Sequence, residues 1–218
     1  MKINKLKIRQ SPYIGVFCSI TDEIALVPKD ITRAEFTKLK NFDVEIIKTK
    51  IVDSTLLGVL MSGLGTKFVA PDLLSKDEED FFSSKGIELL AIGNKAYGNT
   101  MALNSNGGIV STIADKETFG KIKKFFGLKL VHKAFSCTDL VGSSLVVTEK
   151  GFIVNPEIKE TEFKLLKKTF KVEGQATTSN YGDIFVGNGV IANSNAVFAG
   201  DYTTGTELMR IDEGLRGE

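Results

Sequence analysis

A ring of five α+β units is the fold this sequence predicts. Three observations predict it: a fixed period, a recurring helix start, and a last unit that lacks its final strand. Hairpin-like segments recur as "GVFCSITDEIALVP", "GVLMSGLGTKFVAP", "SSLVVTEKGFIVNP" and "GNGVIANSNAVFAG", with a shorter "ALNSNGGIVST" between the second and third of these. Their last residues are Pro28, Pro71, Thr112, Pro156 and Gly200, spaced 43, 41, 44 and 44 residues apart. A period of about 20–50 residues marks propellers, solenoids and closed arrays.

Each hairpin leads to a helix. Four residues past the anchors stand Thr32, Ser75, Lys116, Glu160 and Thr204. Thr32 with Glu35, Ser75 with Glu78 and Thr204 with Glu207 have capping-box spacing, in which hydroxyl and carboxylate satisfy each other's backbone N–H. Asp115 caps the third helix in this reading. Phe36, Phe119, Phe163 and Leu208 open the apolar helix faces, while the second unit carries the acidic stretch "KDEED" before Phe81 and Phe82. The fifth helix is predicted around residues 204–211.

A strand follows each of the first four helices, within "VEIIKTKIVDSTLLG", "IELLAIGNKAYGN", "LKLVHKAFSCTDLVG" and "KVEGQATTSNYGDIFVG". Only "DEGLRGE" follows the fifth, too short and polar for such a strand. The N-terminal "MKINKLKIRQSPYIG" supplies the missing piece, so the first strand is predicted to complete the last unit. Closure removes exposed sheet edges. The units cover about 13–57, 58–100, 101–141, 142–184, and 185–218 plus 1–12, within one domain.

Composition narrows the function classes. The 218 residues are 42% hydrophobic, enough for a core, and hold 21 glycines, many at proposed turns such as Asn106-Gly107 and Asn188-Gly189. No apolar run approaches the roughly 18 residues of a membrane span. The N-terminus is charged and alternating, unlike a signal peptide, and the reading is cytoplasmic with no membrane partner. Cys18 and Cys137, in different units, make no disulfide framework. Lysines and arginines number 28 against 27 acidic residues, for a net charge of +1. Binding to nucleic acid through phosphates needs a concentrated cationic face. The clusters "FGKIKKFFGLKLVHK" and "KETEFKLLKKTFK" fall on predicted helices and read as solvated outer faces. Lys121, Lys123, Lys124, Lys167 and Lys168 could add a secondary RNA contact.

Catalytic chemistry finds little footing. One histidine, His132, excludes a multi-histidine metal site. Cys137 lies five residues on along a predicted strand, which places the two on opposite faces and argues against a Cys–His pair. "GVLMSGL" lacks the lysine of a phosphate loop and sits in a hairpin. Asp53, Asp139 and Asp183 recur before the hairpin glycines, which reads as turn structure, because an active site occurs once. No cofactor or metal is expected.

Three segments are the most specific: "LLAIGN" (89–94), "DLVGSSLVVTEKGFIVNP" (139–156) and "VIANSNAVFAGDYTTGTELMRI" (190–211). With the fivefold repeat, they closely resemble archaeal members of the translation initiation factor 6 family, over essentially the whole chain. The resemblance implies the pentein fold, a five-bladed α/β propeller around a central channel. It implies a ribosome anti-association factor, also involved in large-subunit biogenesis. Such a factor binds the joining face of the large ribosomal subunit as a monomer and blocks the small subunit. The partner would be a ribosomal protein on that face, with sarcin–ricin loop RNA nearby. The contact surface would be one end of the ring, at the short connections entering the hairpins. The matching positions are Val59, Asn94, Ser144 and Asn188, with Asn94 the foremost. The longer tail of eukaryotic members is not expected. Other penteins are guanidine-modifying enzymes, with a Cys nucleophile in the last unit and a His near the channel. This chain has no Cys beyond Cys137 and no second His, so the enzyme reading fails on residue inventory.

Overall fold

The computed structural model describes residues 2–217, and the five sheets share one plan. In each, two short antiparallel strands form a hairpin, and a third strand lies parallel to the second. The first sheet joins Ser19–Ile20, Ile24–Pro28 and Glu45–Thr49. The second joins Ser62–Leu64, Lys67–Ala70 and Glu88–Ala91. The third joins Met101–Asn104, Gly107–Val110 and Leu130–His132, and the fourth Leu145–Val147, Phe152–Val154 and Gly174–Ala176. A parallel neighbour needs a crossover, and a helix supplies it between the second and third strands.

The fifth sheet borrows its third strand from the start of the chain. Val190–Ala192 and Ala196–Gly200 form the hairpin, and Lys2–Leu6 pairs parallel to the latter, from Lys2↔Ala196 to Leu6↔Gly200. The predicted exchange is therefore present, and the five sheets are the five repeated units of a pentein architecture. The fifth helix runs further than predicted, over Gly205–Arg216. The polar "DEGLR" stretch continues it because Leu215 is buried, Gly214 lies against Phe152 and Ile153, and Asp212 pairs with Arg216 at 2.9 Å.

The cores lie between units. Leu6, Ile14 and Val27 pack with Phe198 and Ile191 where the fifth unit meets the first. Leu26 and Ile47 pack with Phe68 and Phe82 at the next seam. The remaining seams centre on Val69 with Tyr97 and Ile122, Ile109 with Phe152 and Phe170, and Ile153 with Val197 and Ile211. A unit that cannot bury its own apolar face is stable only against its neighbours.

The predicted caps are in place. Thr32, Ser75 and Thr204 each accept the N–H of Glu35, Glu78 and Glu207, and the glutamates accept the cap N–H in return. Asp115 accepts from the Thr118 N–H at 2.8 Å. In the fourth helix the cap is Lys159, whose N–H donates to Glu162 at 3.2 Å.

At one end of the ring the hairpin turns are tied across seams. Ser194 donates its N–H and hydroxyl to Asp22 (2.6 and 2.8 Å), Ser105 donates its N–H to Glu149 (2.8 Å), and Lys150 reaches the Ser194 carbonyl (2.6 Å).

The other end differs from expectation. The connections entering four of the hairpins are single helical turns: Ile14–Phe17, Leu57–Leu60, Tyr97–Thr100 and Val186–Gly189. Asn188-Gly189 is thus helical and has no positive φ, nor has Asn106-Gly107. The second position of each turn is glycine, and Gly142 holds the same place in the fourth unit. These five glycines form a closed cycle. A Cβ on Gly58 would stand 1.8 Å from the Gly15 carbonyl oxygen. On Gly98 it would stand 1.8 Å from that of Gly58, on Gly142 2.0 Å from Gly98, on Gly187 2.4 Å from Gly142, and on Gly15 1.9 Å from Gly187. Only glycine permits such backbone approach. The five glycines line an open cavity of about 130 Å³, together with residues such as Cys18 and Met61.

Candidate functional site

The glycine cycle fixes the short helical turns, and these present a rim of side chains. Two residues before the glycines stand Tyr13, Leu56, Ala96, Leu140 and Phe185. Tyr13, Leu56 and Leu140 are 45%, 38% and 36% exposed, and Phe185 is half-buried. Large apolar side chains recurring at one exposed end are an unusual expense for a solvated surface.

Four residues before the glycines stands a polar side chain, and in four of the five units it accepts the backbone N–H two residues on. The Ser11 hydroxyl accepts from the Tyr13 N–H (3.2 Å), Ser54 from Leu56 (3.1 Å), Thr138 from Leu140 (3.1 Å) and Asp183 from Phe185 (2.9 Å). This is the recurrence the three aspartates seemed to carry. Only Asp183 belongs to it. Asp53 lies one residue earlier in its unit, at φ 55°, paired with Lys50, and Asp139 lies one residue later and is exposed.

Asn94 occupies this same register ahead of Gly98. It is exposed, and among the described residues its side chain makes no hydrogen bond within the chain. Its donors and acceptor are free to face outward. Val59 and Asn188 each follow a cycle glycine within a helical turn, half-buried at the rim. Ser144 does not fit with them. It lies two residues past Gly142, is fully buried and accepts the Asn155 N–H at its carbonyl; Ser143, the positional match of Val59 and Asn188, is buried as well.

The helix caps also brace the rim. Glu35 accepts the Arg9 N–H (2.9 Å), Glu162 the N–H and hydroxyl of Ser136 (2.8 and 2.9 Å). Glu207 accepts the N–H groups of Tyr181 (3.2 Å) and Gly182 (2.9 Å) and the Thr178 hydroxyl (2.7 Å). Burial alone would push the Glu207 carboxyl up. Hydrogen bonds from Thr204, Thr178 and Gly182 outweigh it and hold the group below the usual range. Glu162 shows the same balance, burial opposed by Ser136 and Lys159. A depressed folded-state pKa contributes stability above the ordinary glutamate value of about 4.3, lost as pH falls through the folded value. Glu207→Gln is expected to cost about 1–3 kcal/mol at neutral pH. Thermal unfolding of both proteins from about pH 7 to about pH 3 checks this, with the wild-type advantage shrinking on acidification.

Three cations at this end are paired: Lys7 meets Asp201 at 2.9 Å, Arg9 meets Asp30 at 3.2 Å, and Lys50 meets Asp53. No activated nucleophile is assembled among the described residues. The strand ends at His132, whose Nε2 lies 2.8 Å from the Ala114 carbonyl with its ring stacked on Phe119. Cys137 is in the following exposed turn, so strand alternation does not govern it. Burial pushes both thiols up, away from reactive thiolate. No group of three or more His, Cys, Asp or Glu among the described residues could hold a metal ion, and no described helix is long and apolar enough to cross a membrane.

The profile of the eIF-6 family matches residues 3–214. The chain belongs to the eIF-6 family. Translation initiation factor 6 of Staphylothermus marinus is 32% identical over 224 residues, covering 100% of this chain and 99% of that protein. The Thermococcus onnurineus protein of the same name is 30% identical, covering 99% and 98%. Among solved structures, a C. jejuni agmatine deiminase superposes with a TM-score of 0.42 and 15% identity, over 55% of this chain and 49% of that one. eIF-6 relatives thus carry the name of a translation factor, not of an enzyme, and membership supports a role in translation initiation.

The rim was only partly visible in the sequence. The short segments "IGVF", "LGVL", "YGNT", "VGSS" and "VGNG" each place glycine second. Aligning the repeats on that glycine, not on the hairpin ends, brings Tyr13, Leu56, Leu140 and Phe185 into register and moves Ser144 out of it.

Proposed function

We propose that this protein binds the joining face of the large ribosomal subunit, as a monomer, and sterically prevents the small subunit from joining. A part in large-subunit biogenesis follows from occupying that face before it is needed. The observation that carries this reading is the rim: apolar side chains exposed at one end of a rigid ring, in a chain that belongs to the eIF-6 family. A rigid patch with few free charges is suited to shape-matched contact with a protein, with sarcin–ricin loop RNA at its margin. The chain acts as a wedge and catalyses no reaction.

Within the rim, Asn94 supplies the directed hydrogen bonds, and Val59 and Asn188 flank the axis. Asn94→Trp is expected to weaken large-subunit binding about tenfold or more while leaving thermal stability unchanged, since the native side chain has no bond within the chain to lose. Co-sedimentation of variant and wild type with isolated large subunits checks it. Equal affinity at equal stability removes Asn94 from the contact.

A further inference from the structure

Three of the four tyrosines are exposed, and one buried asparagine organises all three. Tyr13, Tyr181 and Tyr202 are 45%, 82% and 62% exposed. Each lies at or next to a residue bonded by Asn180, where the fifth unit meets the first. The Asn180 Nδ2 donates to the Pro12 carbonyl (3.0 Å), beside Tyr13. Its N–H donates to the Thr203 hydroxyl (3.1 Å), beside Tyr202, and the Thr203 hydroxyl donates back to Oδ1 (3.4 Å). Gly200 leaves the room: a Cβ there would stand 2.0 Å from the Pro12 oxygen and 2.2 Å from Asn180 Oδ1.

Tyr181 itself sits at φ 67°, a left-handed conformation that bulky residues adopt rarely. Glu207 holds it there through the N–H groups of residues 181 and 182. Such a conformation persists only where the surroundings over-determine it. Here they set an exposed aromatic ring outward before any partner arrives. Tyrosine brings contact area and a polar hydroxyl with few torsions to freeze.

We propose that Tyr13, Tyr181 and Tyr202 form an aromatic anchor on the seam between the fifth and first units, seated on a protein surface of the large subunit. This rests on the reading under Proposed function and places the strongest part of the contact off the ring axis. Charge selects protein over RNA. The cations of the seam gather on its carboxylates: Lys7 pairs with Asp201 and lies over the Tyr202 ring, Lys5 meets the Asp201 carbonyl, Lys38 lies near Asp201 and Glu35, and Arg9 pairs with Asp30. That leaves no concentrated positive face for phosphates.

The test uses the full chain, isolated large subunits, and the variants Tyr13→Ala, Tyr181→Ala and the triple alanine variant. It adds a photo-crosslinking benzoylphenylalanine at position 181. The exposed rings bear little of the fold, so unfolding temperatures stay at the wild-type value. Each single substitution is expected to weaken co-sedimentation about tenfold or more, as central aromatic residues do, and the crosslink is expected to capture a ribosomal protein. If the wild type binds and the triple variant binds equally well, the anchor is wrong while the broader reading stands. A crosslink to ribosomal RNA, or to a second copy of this chain, also overturns it. A wild type that does not bind the large subunit removes both.

Discussion

A chain lacking residues 1–8 is expected to have no cooperative unfolding transition at 25 °C. The deletion removes the third strand of the fifth sheet and bares Ala196–Gly200 along its length. It takes Leu6 and Ile8, both buried, from the core that joins the fifth unit to the first. Burial of two such side chains contributes about 1.5–3 kcal/mol each, and lost parallel pairing adds to it. The total of about 5 kcal/mol or more approaches the whole stability of an ordinary domain. The bared edge also invites strand addition from another chain. Urea unfolding followed by circular dichroism checks this. A sigmoidal transition within about 1 kcal/mol of the intact chain would mean that the first strand is an appendage and the ring is held without it.

Gly58→Ala is expected to be nearly as damaging, although it adds one methyl group at a half-buried site. That methyl would stand 1.8 Å from the Gly15 carbonyl oxygen and 2.5 Å from the Cys18 carbonyl oxygen. Both obstacles are backbone, so no side chain can rotate to relieve them. The neighbouring helical turn must withdraw by more than about 1 Å, and it is itself locked against Gly187. Overpacking in a compliant core costs about 1–3 kcal/mol; a cycle with no compliant member is expected to exceed that. Gly120→Ala is the control, because nothing lies within 4 Å of a Cβ there and the residue is helical. It is expected to be neutral or mildly stabilising. Equal thermal stability of the two variants would show that the glycine cycle does not constrain the ring.

The same contrast explains which parts of the architecture were legible in the amino-acid sequence. Capping boxes at Thr32, Ser75 and Thr204 are local chemistry, visible as residue types three apart, and they stand as read. The borrowed strand was legible because five anchors and only four following strands leave one gap. The helical turns at the rim were not legible. Four residues around a glycine carry neither periodicity nor helix propensity, and their conformation is imposed by the neighbouring unit's backbone. The C-terminal helix was read too short for a related reason: Gly214 and the charged residues around it look like a helix end, yet packing on Phe152 and Ile153 carries the helix through. Ser144 came to the candidate site from the family resemblance, and the fold buries it two residues past Gly142, while the glycine register exposes Tyr13, Leu56 and Leu140.

Sedimentation of the purified protein with isolated large and small ribosomal subunits, followed by a subunit-joining assay on the same samples, tests the central claim most directly. The account predicts binding to the large subunit alone and loss of joined ribosomes in proportion to occupancy. Binding to neither subunit, or binding with joining undiminished, would contradict it.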